Sequence, residues 1–317
     1  MRRSDLRRAG YYRRRIIVRV IIDTDIGDDI DDALALAVAL TTPAIDIVGI
    51  TTTYGDVQTR ARLARRLCLA AGCPHIPVMA GETFPIGGQY HPDAAPVSLS
   101  QAAAADGLLD AEPTLFDANA SEFIVREINA HPGEIVIITI GAMTNLAVAL
   151  KTDPSIAEKI RCVVSLAGFS PPRIDIPEWN LRYDPAAARI VSTSGVEWLV
   201  VGADIARKMT LMREQLDFIA SQKTELSELL VELILLWARN KSGWDAPHIY
   251  DVPGAHTADV AAIIAALDPD CVSPKRGIIE VKTPGMLTFI EEEIGMHWLA
   301  TAPIERTERE ELRLLGF

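Results

Sequence analysis

The chain has 317 residues, 49% of them hydrophobic and 23% charged, with a formal net charge of −12. Those values exclude a wholly disordered chain and leave room for the large core of one long α/β domain. No apolar run reaches the roughly 18 residues of a membrane span, because Arg19, Asp23 and Asp25 interrupt the best N-terminal stretch.

Residues 1–15 stand apart, with seven arginines against one acid, Asp5, and no apolar periodicity. We take them as a basic, unstructured extension and residues 16–317 as one domain. The extension lacks the uninterrupted apolar region of a secretory signal. The acidic body argues against nucleic acid as the partner. Four cysteines, Cys68, Cys73, Cys162 and Cys271, form no CxxC pair. Their scatter suggests a reduced, cytoplasmic chain rather than a disulfide scaffold or a zinc site.

IIVRVIID (16–23) predicts a strand and DDALALAVAL (31–40) the helix after it. IDIVGITTT (45–53) is the next strand. Residues 57–72 place apolar positions on one helical face and arginines on the other, ending at a glycine. HIPVMAG (75–81) is a short strand. Residues 83–116 lack periodicity and predict a long functional loop. The rhythm resumes with a helix at 119–131, a strand at 134–140, a helix at 144–152 and a strand at 162–168. An irregular loop (171–183), a helix (184–194) and a strand (197–202) follow. One long helix is expected over 213–240, then a loop (241–256), a helix (257–267) and one or two tail strands. Strands alternating with helices imply a mostly parallel sheet covered on both faces. Ligands of such sheets bind outside the carboxyl ends of the strands. The loops after Asp23, Thr53, Ile140 and Gly168, together with 241–257, are therefore expected to converge.

The densest chemistry is IIDTDIGDDIDDALAL (21–36), with Asp23, Asp25, Asp28, Asp29, Asp31 and Asp32. Like charges so close need a cation among them. Hard oxygen ligands between a strand and a helix suit Ca²⁺ or Mg²⁺, not zinc. Helix capping and dipole complementarity would account for two of the six.

A D-x-D strand end also opens the haloacid-dehalogenase phosphatases. Their motif continues with Gly-Thr, whereas Ile26-Gly27 follows Asp25 here. The pattern more closely resembles the inosine–uridine-preferring nucleoside hydrolases: an apolar strand, D-x-D-x-G, then D-D-A and an apolar helix, here Asp23, Asp25, Gly27, Asp31, Asp32 and Ala33. ITTTYGD (50–56), IGAMTNLAVAL (140–150), PEWNLRYDPAAA (177–188) and DVAAIIAALDP (259–269) extend the resemblance over roughly residues 16–270.

The resemblance implies a single α/β domain with a mostly parallel, Rossmann-like central sheet. It implies hydrolysis of the N-glycosidic bond of ribonucleosides through an oxocarbenium-like state, with Ca²⁺ as cofactor. Asp25, Asp32, Asp259 and the Ile140 main-chain carbonyl would hold the ion, and Asp25 would be the general base toward a metal-polarised water. Asp31, Asn180 and Glu178 would take ribose hydroxyls, with Asp56 lining the same pocket or serving as a turn residue. Thr144 and Asn145 are expected to cap the helix after them. Family habit suggests a homodimer or homotetramer acting on a small-molecule nucleoside.

The chain departs from the pattern in four places. Asp28-Asp29 is either a two-residue insertion or itself the functional pair; Ile30-Asp31-Asp32-Ala33-Leu34 preserves the junction with the helix and favours Asp31-Asp32. Ala258 stands where relatives carry a histidine, so His256, three residues before Asp259, is the candidate acid, or an ordinary loop histidine. His248, Trp244 and Tyr250 are candidates for the edge of the base pocket. Pro171-Pro172 replaces an asparagine of some relatives, and 83–116 offers no base-reading motif. A non-catalytic paralogue that binds metal and ribosides is the alternative of a different class.

Overall fold

The computed structural model describes residues 17–90, 99–105, 119–171, 177–211, 213–241, 256–302 and 304. The Arg-rich extension and Trp244, His248 and Tyr250 fall outside them. The strands are β1 (Val18–Thr24), β2 (Ile45–Thr52), β3 (Val78–Ala80), β4 (Ile135–Thr139), β5 (Cys162–Leu166), β6 (Trp198–Val201), β7 (Lys275–Lys282), β8 (Met286–Glu291) and β9 (His297–Leu299). They form one nine-stranded sheet in the order β3-β2-β1-β4-β5-β6-β9-β7-β8. Neighbours are parallel from β3 through β9 and antiparallel in β9-β7-β8.

The helices are α1 (Asp31–Thr41), α2 (Val57–Ala70), α3 (Ala120–Ala130), α4 (Thr144–Thr152), α5 (Trp179–Tyr183), α6 (Pro185–Thr193), α7 (Ala203–Ala206), α8 (Arg213–Ser221), α9 (Glu225–Lys241) and α10 (Ala258–Leu267). Alternating side chains of the central strands feed two cores. Val20, Ile22, Val136, Ile138 and Val164 pack with α1, α2, α9 and α10, while Ile21, Ile135, Ile137 and Val163 pack with α3, α4 and α6. Both faces are apolar because both are covered, which is why these strands read as unbroken hydrophobic runs.

Strand order reverses between β1 and β4, the point at which a crevice opens beyond the carboxyl ends of the strands. The helix expected over 213–240 is two. Lys223 has a φ of 50°, and Thr224 and Ser227 exchange hydrogen bonds in which each side chain accepts from the other's backbone N–H, starting α9 anew. The third tail strand, β9, is only three residues long and slips between β6 and β7.

Candidate active site

β1 delivers two aspartates to different surroundings. Asp23 is buried on the α4 side, accepting from Thr51 Oγ1 at 2.6 Å and Asn145 Nδ2 at 2.7 Å. Burial pushes its carboxyl up to about 7, against the pull of those two hydrogen bonds. Thr24, on the other face, donates to Asp32 Oδ1 at 2.5 Å and accepts from the Ile26 N–H at 3.1 Å, fastening the turn to α1. Asp25 then leaves the strand, 7% exposed, and lies against Gly141. A Cβ at 141 would sit 2.9 Å from both Asp25 N and Asp25 Oδ1, so the close approach requires glycine.

Thr144 and Asn145 do not cap α4, whose N-cap position is Met143 without a side-chain bond. Thr144 Oγ1 donates to Asp184 Oδ2 at 2.8 Å. Asn145 holds Asp23, the Thr52 carbonyl at 3.0 Å and the Glu82 N–H at 2.8 Å. Both residues thus work between elements, locking the strand ends from below.

α1 and α10 pack side by side and bring their first turns together. Neither helix has a side-chain N-cap; acids occupy the first turns instead, Asp31 and Asp32 on α1 and Asp259 on α10. One carboxylate oxygen from each of the three lies within 4.8 Å of the others. At that spacing two full charges repel by about 3 kcal/mol at an effective dielectric near 20. A helix dipole returns roughly 0.3–1 kcal/mol. Burial, then neighbouring carboxylates, push both Asp32 and Asp259 well above the usual range. Asp259 is 2% exposed and its Oδ1 has no hydrogen-bond partner. An orphaned buried carboxylate oxygen among like charges is what a hard cation would satisfy.

These acids line a cavity of about 280 Å³. Its walls include Asp25, Asp28, Asp29, Asp31, Asp32 and Asp259, with Ile140, Glu178 and Asn180 across from them. Glu178 is the N-cap of α5: Oε1 accepts from Asn180 N at 3.0 Å, and Oε2 from Leu181 N at 3.1 Å and Gly168 N at 3.2 Å. Burial raises the Glu178 carboxyl, opposed by those three N–H groups and by the Arg207 guanidinium. Asn180 Nδ2 donates to the Ile140 carbonyl at 2.9 Å and the Leu166 carbonyl at 3.1 Å, which ties α5 to the ends of β4 and β5. Behind Asp25 the rings of Tyr54 and Tyr183 stack at 3.8 Å. Burial and the Asp25 charge both raise the Tyr183 phenol, which keeps it protonated.

Two expected site residues lie elsewhere. Asp56 is exposed and caps α2, accepting from Thr59 N at 3.1 Å and Thr59 Oγ1 at 2.7 Å, so both oxygens serve the helix instead of the cavity lining. His256 is exposed and its backbone pairs with Thr210, outside the lining. Conversely, the cavity wall holds Trp179 and Arg207, to which the sequence reading gave no role. Arg207 follows the carboxyl end of β6, a position the strand-end rule points to. Asp28 and Asp29 also face the cavity, with their backbones strapped. Ser100 Oγ donates to Asp28 O at 2.6 Å and Gln101 Nε2 to Asp29 O at 2.7 Å, while Asn240 Nδ2 holds Ser100 O at 2.6 Å.

Residues 20–303 match the profile of the inosine-uridine preferring nucleoside hydrolases. Uridine nucleosidase 1 of Arabidopsis thaliana is 33% identical over 276 residues, 84% of this chain and 79% of that protein. The pyrimidine-specific ribonucleoside hydrolase RihB of Escherichia coli is 27% identical over 281 residues, covering 83% and 82%. Among solved structures a plant nucleoside hydrolase superposes with a TM-score of 0.77 at 26% identity, covering 95% of this chain and 98% of that one. An acid-rich crevice at the strand-order reversal, an α/β sheet and a family match over most of the chain agree: this chain belongs to the inosine-uridine preferring nucleoside hydrolase family and is an N-glycosidase of ribonucleosides.

Proposed function

We propose that the chain is a calcium-dependent hydrolase of ribonucleosides, releasing free base and ribose in the cytoplasm as a homodimer or homotetramer. The observation that supports it is the meeting of Asp31, Asp32 and Asp259 around the orphaned Asp259 oxygen, on a cavity shared with Asp25, Glu178 and Asn180. That meeting favours Asp31-Asp32 over Asp28-Asp29 as the pair joined to Asp259. The donors are all carboxylate or carbonyl oxygens, which suits Ca²⁺. Asp25, Asp32, Asp259 and the Ile140 carbonyl would hold the ion. When bound, it supplies a Lewis acid that makes nearby water and sugar hydroxyls more acidic.

The chain's own groups do the rest. Asp25, its carboxylate fixed against Gly141, takes the proton of the attacking water as general base. Asp31 accepts from one ribose hydroxyl. Asn180, whose Nδ2 is committed to two carbonyls, offers its amide oxygen to another. Glu178, rigid on three backbone donors, accepts from the 5′-hydroxyl. The ring of carboxylates beneath the sugar favours positive charge at the anomeric carbon as the bond to the base breaks. Among the described residues the cavity lining holds no histidine that could protonate the departing base. The relatives' names make uridine the first substrate to try.

The test is reducing-sugar release from a nucleoside panel with Ca²⁺ or a chelator, with Asp25→Asn alongside. Hydrolysis that stops on chelation and falls at least a thousandfold in Asp25→Asn supports the reading. Tight Ca²⁺ and riboside binding without turnover would leave the non-catalytic binding paralogue. Phosphate release from phosphomonoesters would favour the phosphatase chemistry instead. Oligomer mass is read by light scattering; among the described residues, exposed Ile278, Ile290, Ile294 and Met296 around the β7-β8 hairpin offer one apolar surface for it.

A further inference from the structure

The periodicity of α2 sends its arginines to solvent, and two of them do not go there. Arg60 is 1% exposed and Arg65 5%. Arg65 donates to the Pro74 carbonyl at 2.8 Å and the Ile76 carbonyl at 3.3 Å, closing the turn that leads into β3, remote from the cavity. Arg60 reaches the other way, toward the strand ends. Its Nε donates to Tyr54 O at 2.7 Å, and its Nη1 to Ile26 O at 2.9 Å and to Asp25 O.

One guanidinium therefore joins the loop after β1 to the turn after β2. Both loops need such a clamp. Tyr54 has a φ of 71°, a left-handed conformation that a non-glycine residue keeps only where its surroundings over-determine it. Asp25 and Ile26 lie beyond Thr24, the last residue of β1, where the chain turns toward α1. A planar, always-charged fork with fixed donor directions sets the plane of the Asp25–Ile26 peptide, and with it the direction of the Asp25 side chain. Burying the charge is costly unless opposite charge is near. The aspartates beyond the turn provide it, and Arg60 favours the charged form of Asp32.

We propose that Arg60 is a positioning residue for the cation site: it presets the Asp25 turn, so that the acids are arrayed for a divalent ion before the ion arrives. Its kinetic consequence rests on the hydrolase reading, whereas its effect on ion binding does not. Asp56 enters here too, because its cap on Thr59 starts the helical turn that aims Arg60 at the loops.

The experiment compares full-length wild type, Arg60→Lys, Arg60→Met and the control Arg65→Met. CaCl₂ alone is titrated calorimetrically into chelator-treated protein, circular dichroism checks folding, and kcat and KM are measured with uridine. Arg60→Lys keeps the buried charge, and with it the fold, but not the fork. Both Arg60 variants are expected to lose at least tenfold in Ca²⁺ affinity. Their kcat should fall roughly a hundredfold with KM changed less than about threefold, as for a misplaced reacting group. Arg65→Met should lower the melting temperature and leave Ca²⁺ affinity unchanged. A folded Arg60→Lys that binds Ca²⁺ like wild type overturns the proposal. So does an equal loss of affinity in Arg65→Met, which would make the effect one of general destabilisation, or a wild type that binds no Ca²⁺. A wild type that binds Ca²⁺ but cleaves no nucleoside defeats the hydrolase reading alone, and the calorimetry still decides on Arg60.

Discussion

Asp23 and Asp25 are two residues apart and have opposite surroundings. Asp23 is sealed under Thr51 and Asn145, whereas Asp25 opens on the cavity. The first holds strand ends together and the second meets substrate in the proposed reaction. Replacing Asn145 by Ala leaves Asp23, the Thr52 carbonyl and the Glu82 N–H each short of a partner. A loss of about 1–3 kcal/mol is expected in urea unfolding, because Asp23 keeps Thr51 and the Thr52 carbonyl keeps the Gly81 N–H. Gly141→Ala is expected to act on the chemistry instead. Its methyl would push Asp25 aside, lowering kcat by tenfold or more while KM for uridine stays within a few-fold. An equal kcat in this variant would remove Asp25 from the role of base. The grouping of Asp25 with Asp31 and Asp32 was legible in the sequence because it is local, spelled out in eight consecutive positions. The inward turn of Arg60 was not, because a helix pattern gives the face of a side chain and not how far a long one reaches back across a sheet end.

At the scale of elements, caps and straps do much of the aiming. Asp56→Ala removes both acceptors of the α2 cap and is expected to cost about 1 kcal/mol. If Asp56 works only through the helix, thermal denaturation will register the change while KM stays within about twofold; a large rise in KM would return Asp56 to the ribose pocket. The segment 99–101 holds Asp28 and Asp29 by their carbonyls, and Gly27, at φ 118°, lets the chain turn beneath it. The φ of 118° would strain any residue with a Cβ at 27, and that Cβ would also crowd Leu63 Cδ1 at 2.8 Å. The sequence showed the long segment and Asp28-Asp29 separately. That one braces the other depends on side chains from distant positions, which no local pattern carries. The short β9 escaped for a related reason: three residues have too little periodicity to announce a strand, and its place is fixed by pairing with β6 and β7.

The whole molecule inherits a pH dependence from its buried acids. The folded Asp23 carboxyl titrates at about 7, and Asp32 and Asp259 are also raised, whereas unfolded carboxylates titrate near 4. The native state therefore holds protons that the unfolded chain has released. The stabilisation from Asp23 is complete below about pH 4 and is lost as pH rises through about 7, and the raised Asp32 and Asp259 act in the same direction. Asp56 and Asp153, which are lowered, finish titrating below this window, whereas His297, lowered by burial, opposes the trend within it and is outnumbered by the three raised carboxyls. Chelator-treated protein is thus expected to melt several degrees higher at pH 5.5 than at pH 8. Added Ca²⁺, which takes deprotonated carboxylates, should raise the melting temperature more at pH 8 than at pH 5.5. Equal calcium shifts at the two pH values would mean that these carboxylates do not hold the ion. The mostly parallel sheet and its crevice were legible from strand-helix alternation alone. The register that brings α10 against α1 was not, because it is set by packing between elements far apart in the chain.

That pairing of first turns has a kinetic side. Asp32 and Asp259 stand 227 positions apart, so no ion can bridge them until α10 has docked against α1. A bridge closing so long a loop acts as a late fastening rather than a nucleus: it adds nothing while the sheet assembles and resists reopening once everything is in place. Calcium should accordingly slow the escape from the native state and leave the early steps of refolding untouched. A chain ending before α10 would keep all six aspartates of residues 23–32 and still lack Asp259, the partner that gathers them.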